Sequence, residues 1–274
     1  MAYTNLQLGS DIVGTSDGDR LGRQTAMNAL GNIIAASVPG DDDNYADDNG
    51  SVAIYEYDLG TDAWTQLGSN IIGAGADEEN YGNGLALNAN GNIVAIGSRE
   101  NDGAGLSRGE VRVFEYDGSS WSQLGSDING EANSDWFGLN LDLNAEGNIL
   151  VANSIGHDEG SYTEEGSVRV FYFNGSSWAQ MGSTIVGDDE GDKLGNRWKG
   201  VSINARGDII SIYEESPDED DAIPSGSVRA YRFTGTTSSG SWTQLGNTIS
   251  GTDNELHGSA HCLNAEGNIL AAGA

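Results

Sequence analysis

Residues 85–96 read Leu-Ala-Leu-Asn-Ala-Asn-Gly-Asn-Ile-Val-Ala-Ile and contain the most informative local pattern of the chain. Two short apolar runs flank a turn in which glycine can take a positive φ angle and asparagine tolerates one, a pattern typical of a β-hairpin. The Asn-Ala-x-Gly-Asn/Asp pentapeptide of this turn recurs at steps of 60, 56, 60 and 60 residues. The hairpin is therefore one part of a repeat that runs through the chain. The five copies begin at Asn28, Asn88, Asn144, Asn204 and Asn264.

Two further markers recur with the hairpin and predict two more strands in each repeat. One is Gly-x-Val followed by alternating aromatic residues, which is typical of a strand. The other is Trp-x-Gln-Leu/Met-Gly, in which a glycine inside a strand indicates a bulge. We expect its tryptophan to pack between neighbouring repeats. The first marker begins at Gly50, Gly109, Gly166 and Gly226, and the second at Trp64, Trp121, Trp178 and Trp242.

Four strands in each repeat predict an all-β protein, and specifically a β-propeller in which each four-stranded blade stacks on the next. We expect a single propeller domain over residues 1–274, with about five blades. Residues 258–274 supply the first two strands of a blade, and residues 1–13 supply a fourth strand. The last blade is therefore expected to be incomplete or to be completed by the N-terminal strand. Continuation into further blades of a longer polypeptide is the alternative.

The repeat resembles the FG-GAP repeat of integrin-α-like propellers. Its Phe-Gly position corresponds to a pair six residues before the turn asparagine, and Trp198 stands in place of the glycine in the fourth repeat. The Trp-x-Gln-Leu-Gly-Ser variant is similar to tandem repeats in large surface proteins of marine microbes. The resemblance implies calcium in the first hairpin, but these hairpins lack the spaced carboxylates that Ca²⁺ requires. The matching pairs are Leu21-Gly22, Tyr81-Gly82, Phe137-Gly138 and His257-Gly258.

The charge of the chain excludes several classes of partner. Asp and Glu number 42 against 12 Lys and Arg, so the net charge is −30. A chain this acidic is not expected to bind nucleic acid through phosphate contacts or to lie on an anionic membrane. No apolar run is long enough to span a bilayer, and the first residues show no signal peptide. We expect an unusual secretion route or a piece of a longer protein, located outside the cell or at its surface, with a virion as the alternative.

Most of the acids fall in two kinds of connection, from a fourth strand to the next first strand and from a second strand to the third. In a propeller both kinds emerge on one face, and 30 of the 42 acids lie there. Solubility in a salty medium explains this placement, and a face that binds cations or a basic partner is the other explanation. No cofactor is certain, and weak Ca²⁺ binding by these loops is the one the sequence allows. The candidate metal ligands are Asp41, Asp43, Asp47, Asp188, Asp189, Asp218 and Asp220.

Aromatic residues and basic residues complete the candidate sites. Trp136 and Trp198 do not belong to the repeat, and both lie where the chain enters an innermost strand from the acidic face. With Tyr81 and Tyr162 they are the candidate ligand-binding residues. His257, His261 and Cys262 are not expected to share a metal, because an extended strand separates the two histidines. A third-strand arginine recurs in three repeats and is expected to pair with an acid of the neighbouring blade. These arginines are Arg112, Arg169 and Arg229.

These features predict a non-catalytic binding or adhesion propeller that recognises a protein partner or a glycan through the acidic loops. A structural component of a virion or phage appendage is the alternative, which would assemble into a larger particle. A glycan-active enzyme is the third reading. No Ser-His-Asp, Cys-His or metalloprotease pattern is present, and three histidines leave little for acid–base chemistry, so no catalytic residues are expected.

Overall fold

The computed structural model describes residues 7–16, 18–39, 50–73, 81–102, 105–158, 164–196, 199–216, 225–251 and 258–273. Within these ranges the chain forms 21 strands in five antiparallel sheets, so the predicted all-β propeller architecture is confirmed. Each sheet is one blade, and its strands follow in chain order from the centre outwards. The described parts of the chain contain no helix that is long and apolar enough to cross a membrane.

The blades have the following strands. Blade 1 contains β1 (Thr25–Met27), β2 (Ile33–Val38), β3 (Ser51–Asp58), β4 (Ala63–Gln66) and β5 (Ile71–Ile72). Blade 2 contains β6 (Gly84–Leu87), β7 (Ile93–Ser98), β8 (Glu110–Tyr116), β9 (Trp121–Gln123) and β10 (Ile128–Asn129). Blade 3 contains β11 (Phe137–Leu143), β12 (Ile149–Ser154), β13 (Ser167–Phe173), β14 (Trp178–Gln180) and β15 (Ile185–Val186). Blade 4 contains β16 (Val201–Ile203), β17 (Ile209–Ser216), β18 (Ser225–Thr236) and β19 (Ser239–Ser250), and blade 5 contains β20 (His261–Leu263) and β21 (Leu270–Ala272).

The fourth strand of blades 1 to 3 is broken where the sequence predicts a bulge. In blade 1 both pieces pair with β3, through Tyr57 opposite Trp64 and Val52 opposite Ile71. Gly68 lies between the pieces with a φ of 70°. In blade 4 the outer strand is continuous, and its register shifts between Val228 and Ala230. The Leu-Gly step of the repeat therefore bends the outer edge of each of these sheets.

The turn asparagine holds each inner hairpin together. In blade 2, Oδ1 of Asn88 accepts hydrogen bonds from the backbone N–H groups of Asn92 and Ile93, both at 3.1 Å. Its own carbonyl accepts from Gly91 N–H at 3.1 Å. Gly91 has a φ of 76°, a conformation that costs a residue with a Cβ atom roughly 1–2 kcal/mol. The pentapeptide is thus a complete local hydrogen-bonding unit.

The same turns join neighbouring blades. The alanine of each turn donates its N–H to the alanine carbonyl of the next turn, as from Ala89 to Ala145 at 3.1 Å. The turn glycine also lies against the isoleucine of the preceding blade, and a Cβ atom on Gly147 would be 2.8 Å from Cδ1 of Ile93. The glycine is therefore required both for its φ angle and for the close approach of two blades.

Three apolar clusters fill the spaces between the sheets, each built from two adjacent blades. One contains Ile33 of blade 1 and Leu87 of blade 2, and the next contains Ile93 of blade 2 and Leu143 of blade 3. The third joins blades 3 and 4. The first strands of consecutive blades also lie in contact, from β1 through β6, β11 and β16 to β20. These first strands surround the centre of the molecule.

The structure corrects the Phe-Gly position of the fourth repeat. Gly195, and not residue 198, donates its N–H to the second strand, at 2.7 Å from the carbonyl of Tyr213. Gly82 makes the equivalent bond to Gly97 at 3.0 Å, and Leu194 is fully buried as Phe137 is. The expectation failed because extra residues separate Gly195 from β16, so counting back from the turn asparagine reaches the wrong position.

The fifth blade, in the part of the chain that the structure describes, is the two-stranded sheet of β20 and β21. Residues 7–16 form no strand there. They instead pack against blade 1, where the carbonyl of Leu8 accepts a hydrogen bond of 3.0 Å from the indole N–H of Trp64. The last blade is therefore incomplete within the described ranges, which is the first of the two expectations.

Candidate functional site

A cavity of about 350 Å³ lies where the first strands of blades 1 to 4 meet. Each of these blades contributes residues from its first strand or from the connection just before it, and blade 2 also contributes Arg99, which follows its second strand. The volume falls within the range of small-molecule sites. The lining residues are Arg23 and Gln24 of blade 1, Asn83 and Arg99 of blade 2, Leu139 and Asn140 of blade 3, and Asn196 of blade 4.

This central cavity is lined by hydrogen-bond donors, in contrast to the acidic surface of the protein. Arg23 and Arg99 are two of only 12 basic residues in a chain of net charge −30. Arg99 forms an ion pair of 2.7 Å with Glu100, and both side chains are about one-third exposed. Exposed pairs of this kind contribute roughly 0–1 kcal/mol, so the pair is a weak restraint on the guanidinium.

Asn83 gives the cavity a buried donor that lacks a protein partner. The residue is only 6% exposed, and its Nδ2 atom has no hydrogen-bond partner in the structure. A buried amide without a partner costs roughly 1–3 kcal/mol, which a ligand or an ordered water can offset. Asn83 therefore leaves one buried amide donor unsatisfied beside the cavity.

Two other cavity amides are held in place by backbone and side-chain contacts. Nδ2 of Asn140 donates to the carbonyl of Gly195 at 3.1 Å, and its N–H donates to Oδ1 of Asn153 at 2.7 Å. Nδ2 of Asn196 donates to Oε2 of Glu215 at 3.1 Å. The orientation of these amides is thus fixed before any ligand enters.

Trp136 lines a second pocket, of about 480 Å³, which adjoins the central cavity at Arg99. Its ring is partly exposed, and its backbone has a φ of 51° and donates to the carbonyl of Ser107 at 3.1 Å. Ser107 is in turn held by Oδ1 of Asp102 at 2.7 Å. The structure therefore places this candidate residue beside the central cavity. The pocket lining is Arg99, Glu100, Asp102, Ser107, Trp136 and Ile155.

The other aromatic candidates are placed differently. Tyr81 is fully buried, and the guanidinium of Arg112 lies 5.0 Å above its ring. Its ring face is therefore occupied inside the protein rather than presented to a ligand, because the residue fills the Phe-Gly position of its repeat. Trp198 and Tyr162 lie outside the described residues.

The acidic connections are only partly a surface feature. Asp135 is 1% exposed, and its Oδ2 accepts backbone N–H groups from Glu131 and Ala132 at 2.7 and 2.9 Å. Burial pushes its pKa up, but hydrogen bonds from His157 and from this backbone outweigh that effect, so its pKa lies below the usual value. The carboxylates of Asp19 and Asp192 likewise accept hydrogen bonds from backbone N–H groups of their own loops. Some of the acidic side chains counted on this face are therefore buried, and they stabilise their own loops by accepting backbone hydrogen bonds.

A buried charge cluster joins blades 3 and 4. Arg229 pairs with Glu214 on the neighbouring strand and lies 2.7 Å from Asp188, in the connection from blade 3. Burial raises the pKa of Glu214 to about 6, although Arg229 acts in the opposite direction. In blade 3, Arg169 lies 3.9 Å from Glu131, in the connection from blade 2. For these two arginines the expected pairing with an acid of the preceding blade is present.

Of the two described candidate metal ligands, Asp188 has a partner within the protein. Asp188 pairs with Arg229, and the N–H groups of Asp188 and Asp189 both donate to Oδ2 of Asp192, at 2.9 and 2.8 Å. Among the described residues, no three His, Cys, Asp or Glu side chains gather where they could hold a metal ion. The remaining candidates lie outside the described ranges: Asp41, Asp43, Asp47, Asp218 and Asp220.

His261 and Cys262 face opposite ways on β20. His261 is buried with Nδ1 3.0 Å from the carbonyl of Gly258, and burial lowers its pKa. Cys262 is exposed. The two side chains therefore do not converge on one point, and His257 lies outside the described residues.

One further pattern recurs in the connections that precede the first strands. A buried aspartate, a residue of positive φ, an apolar residue and a glycine follow one another in three connections. The positive-φ residue of the second set is Trp136, which means that Trp136 does occupy a repeat position. This pattern also identifies Leu194-Gly195. The three sets are residues 19–22, 135–138 and 192–195.

No family model matches the chain, and no curated protein matches it. Among solved structures, the chain is similar to a periplasmic gluconolactonase of Pseudomonas aeruginosa, with 14% identity and a TM-score of 0.58. That match covers 96% of this chain and 66% of the gluconolactonase, so the chain spans just under two thirds of its length.

Two further similar structures have lower TM-scores. The β-propeller domain of the trilobed protease of Pyrococcus furiosus has 10% identity and a TM-score of 0.45, covering 90% of this chain and 63% of that chain. An ancestral GH74 enzyme has 15% identity and a TM-score of 0.43, covering 80% of this chain and 27% of that chain. At 14% identity the likeness to the gluconolactonase shows the fold alone.

The comparison corrects the functional expectation drawn from the sequence. An adhesion or recognition module working through acidic loops, with a virion component as the alternative, was the wrong reading. The gluconolactonase that the chain resembles in fold is an enzyme by description. The acids on which the reading rested are in part buried and bonded within their own loops, as Asp135 and Asp192 are.

Proposed function

We propose that this propeller binds a small hydroxylated carboxylate, of the sugar-acid class, in its central cavity. The observation that carries the proposal is Nδ2 of Asn83, a buried donor without a partner in the wall of a cavity that two arginines also line. Guanidinium groups bind carboxylates through paired, charge-assisted hydrogen bonds, and amides bind hydroxyl groups. The set of donors fits a ligand that carries both.

The weak ion pair of Arg99 supports a role in capture. A ligand carboxylate entering the cavity can replace Glu100 as the partner of Arg99, because a pair that is about one-third exposed contributes little to stability. The strong negative charge of the protein repels anions at long range, so binding depends on these local donors. The affinity is therefore expected to rise with salt up to physiological ionic strength, as the long-range repulsion is screened.

The choice of probe follows from the fold comparison. The gluconolactonase that the chain resembles in fold takes its name from the lactone of gluconic acid. Gluconate carries one carboxylate and several hydroxyl groups, which match the donors of the cavity. Glucose is a neutral control of similar size that lacks the carboxylate.

Calorimetric titration of gluconate and glucose into the protein and two variants tests the proposal. Arg99→Gln removes a cavity guanidinium, and Arg206→Gln makes the same change in an exposed turn of blade 4. We expect gluconate to bind at least about tenfold more tightly than glucose, and Arg99→Gln alone to remove that preference, since a charged hydrogen bond contributes about 1.5–3 kcal/mol. Equal binding of the two sugars, or equal loss in both variants, would overturn the proposal.

We also propose that the repeats are divergent members of the FG-GAP class. Each of four connections ends in an apolar or aromatic residue followed by a glycine of positive φ. In blades 1, 2 and 4 this glycine donates its backbone N–H to the second strand of its own blade, as Gly82 and Gly195 do. An experimental structure in which residues 256–258 take the same conformation would support the assignment, and a different path there would count against it.

A further inference from the structure

The contact between neighbouring blades has the same two faces at each junction. One face presents the isoleucine that follows the turn, and the other presents the turn glycine and the apolar residue before the turn asparagine. At the junction of blades 1 and 2, Ile33 and Leu87 lie in one apolar cluster, and a Cβ atom on Gly91 would be 2.7 Å from Ile33. Both residues are almost fully buried by this contact.

Blade 5 presents the isoleucine face without a cover. The isoleucine in this position is Ile269, which is 63% exposed. Its equivalents Ile33, Ile93 and Ile209 are 5–9% exposed and Ile149 is partly buried, because the next blade covers each of them. The difference marks an uncovered copy of an interface that the protein uses repeatedly.

Blade 1 presents the complementary glycine face, also without a cover. Met27 in this face is 63% exposed, whereas its equivalents Leu87, Leu143 and Ile203 are 6–8% exposed. A Cβ atom on Gly31 would meet only Sδ of Met27, at 3.7 Å. The next residue outwards, Leu30, is 84% exposed.

The hydrogen-bond ladder between the turns has matching ends. In the described chain it begins at the N–H of Ala29, which donates to Ala89, and ends at the carbonyl of Ala265, which accepts from Ala205. The carbonyl of Ala29 therefore remains at one end, and the N–H of Ala265 remains at the other. The N–H of Ala265 in one copy of the chain can therefore donate to the carbonyl of Ala29 in a second copy and continue the ladder.

We propose that the blade 5 face of one copy of this chain binds the blade 1 face of a second copy, with Ile269 of one packed on Met27 and Gly31 of the other. The inference is independent of the central cavity, and it rests on continuity with the interface between adjacent blades. Stacked repeats expose such faces unless a polar capping repeat covers them. Because the two faces differ, the contact is heterologous and leads to closed or open assemblies.

The net charge of −30 opposes association, so salt should promote it. The Debye length falls from about 8 Å at physiological ionic strength to about 3 Å at 1 M salt, which screens the repulsion between copies. The apolar contact itself does not weaken with salt. The assembly is therefore expected to grow with both protein and salt concentration.

Mass measurement by sedimentation of the full chain tests the proposal. We expect species of twice the 28.6 kDa chain mass or more at high salt, and loss of these species in Ile269→Glu and in Met27→Glu. Leu106→Glu is the matched control, because Leu106 is 68% exposed and lies in blade 2 away from both faces. All three substitutions are at exposed positions, so the variants should unfold at the same temperature as the parent.

Mixing the two variants distinguishes association through these two faces from association through any other surface. Ile269→Glu keeps an intact blade 1 face, and Met27→Glu keeps an intact blade 5 face, so neither associates alone but the mixture forms a one-to-one complex. A 28.6 kDa species under all conditions would overturn the proposal. So would association that Leu106→Glu weakens as much as Ile269→Glu does, or a mixture that stays monomeric.

Discussion

The indole N–H of Trp178 donates a hydrogen bond of 2.7 Å to the carbonyl oxygen of Leu124, in the outer edge of the preceding blade. Its ring lies against Gly125, where a Cβ atom would be 3.0 Å from Cδ1 of the indole. Trp and Leu-Gly belong to the same sequence marker, so each copy of the marker binds the previous copy. This contact joins the outer edges of neighbouring blades, and the hydrogen bonds between the turn alanines join the same blades at their inner hairpins.

Trp178→Phe should destabilise the protein by about 1–2 kcal/mol, because it leaves the Leu124 carbonyl unpaired at a partly buried junction. Trp64→Phe is the comparison, since Trp64 bonds to Leu8 in a segment that forms no strand. Its effect should be smaller. Urea unfolding measures both, and equal losses would contradict the role of the indole in joining blades.

Gly147→Ala should destabilise more than Gly118→Ala. Both glycines have a positive φ, of 76° and 97°, so the backbone strain is similar. A Cβ atom at 147 would press on Ile93 of the preceding blade, whereas nothing lies within 4 Å of one at 118. The excess cost is expected to be about 1–3 kcal/mol, the usual range for overpacking. Thermal unfolding that shows no excess would mean that the blades tolerate a wider separation.

Asp135→Asn should cost more stability than Asp117→Asn. Each aspartate accepts two backbone N–H groups of its own loop, but Asp135 is buried and Asp117 is exposed. Replacing the buried carboxylate is expected to cost roughly 1–3 kcal/mol. Because the pKa of Asp135 is lowered in the folded state, its stabilising effect is present above its ordinary pKa and is lost as the pH falls below it. Denaturation at pH 3 and pH 6 should therefore show a larger gap between parent and Asp135→Asn at pH 6.

Glu214→Gln should change how stability depends on pH between about 4.5 and 6. The pKa of Glu214 is raised to about 6, so the folded protein holds a proton that the unfolded chain releases in this window. Its contribution therefore falls as the pH rises, by at most about 2 kcal/mol. Glu214→Gln removes this pH-dependent contribution. The free energy of unfolding of the parent minus that of the variant should therefore decrease from pH 4.5 to 6.5.

Glu164→Gln serves as the control for that titration, because Glu164 forms an exposed pair with Lys193. Urea unfolding at the two pH values gives the differences needed. A parent-to-variant difference that stays constant or grows between pH 4.5 and 6.5 for Glu214→Gln would contradict the assigned direction.

The sequence predicted the repeat, the strands and the role of the tryptophans, because each has a short local pattern that occurs at least four times. Asn88 and Gly91, for example, form the same turn in every copy. The Phe-Gly position of blade 4 was missed because an insertion after Gly195 breaks the spacing. The acidic connections were misread because a count of charges treats each acid as exposed, whereas Asp135 is buried by its own loop.

The central cavity could not be found from the sequence. Its residues come from separate repeats. Arg23, Asn83, Leu139 and Asn196 each follow the Phe-Gly glycine of their own repeat, but their residue types differ, so no motif marks them as one lining. Arg99 looks like an ordinary surface arginine beside Glu100 in the sequence. Only the packed arrangement shows that these groups form one lining.

A crystal structure of the protein soaked with gluconate tests the central proposal most directly. We expect gluconate in the central cavity, with its carboxylate on Arg99 or Arg23 and a hydroxyl oxygen within hydrogen-bond distance of Nδ2 of Asn83. Gluconate bound elsewhere, or a cavity that holds only water at saturating gluconate, would contradict it.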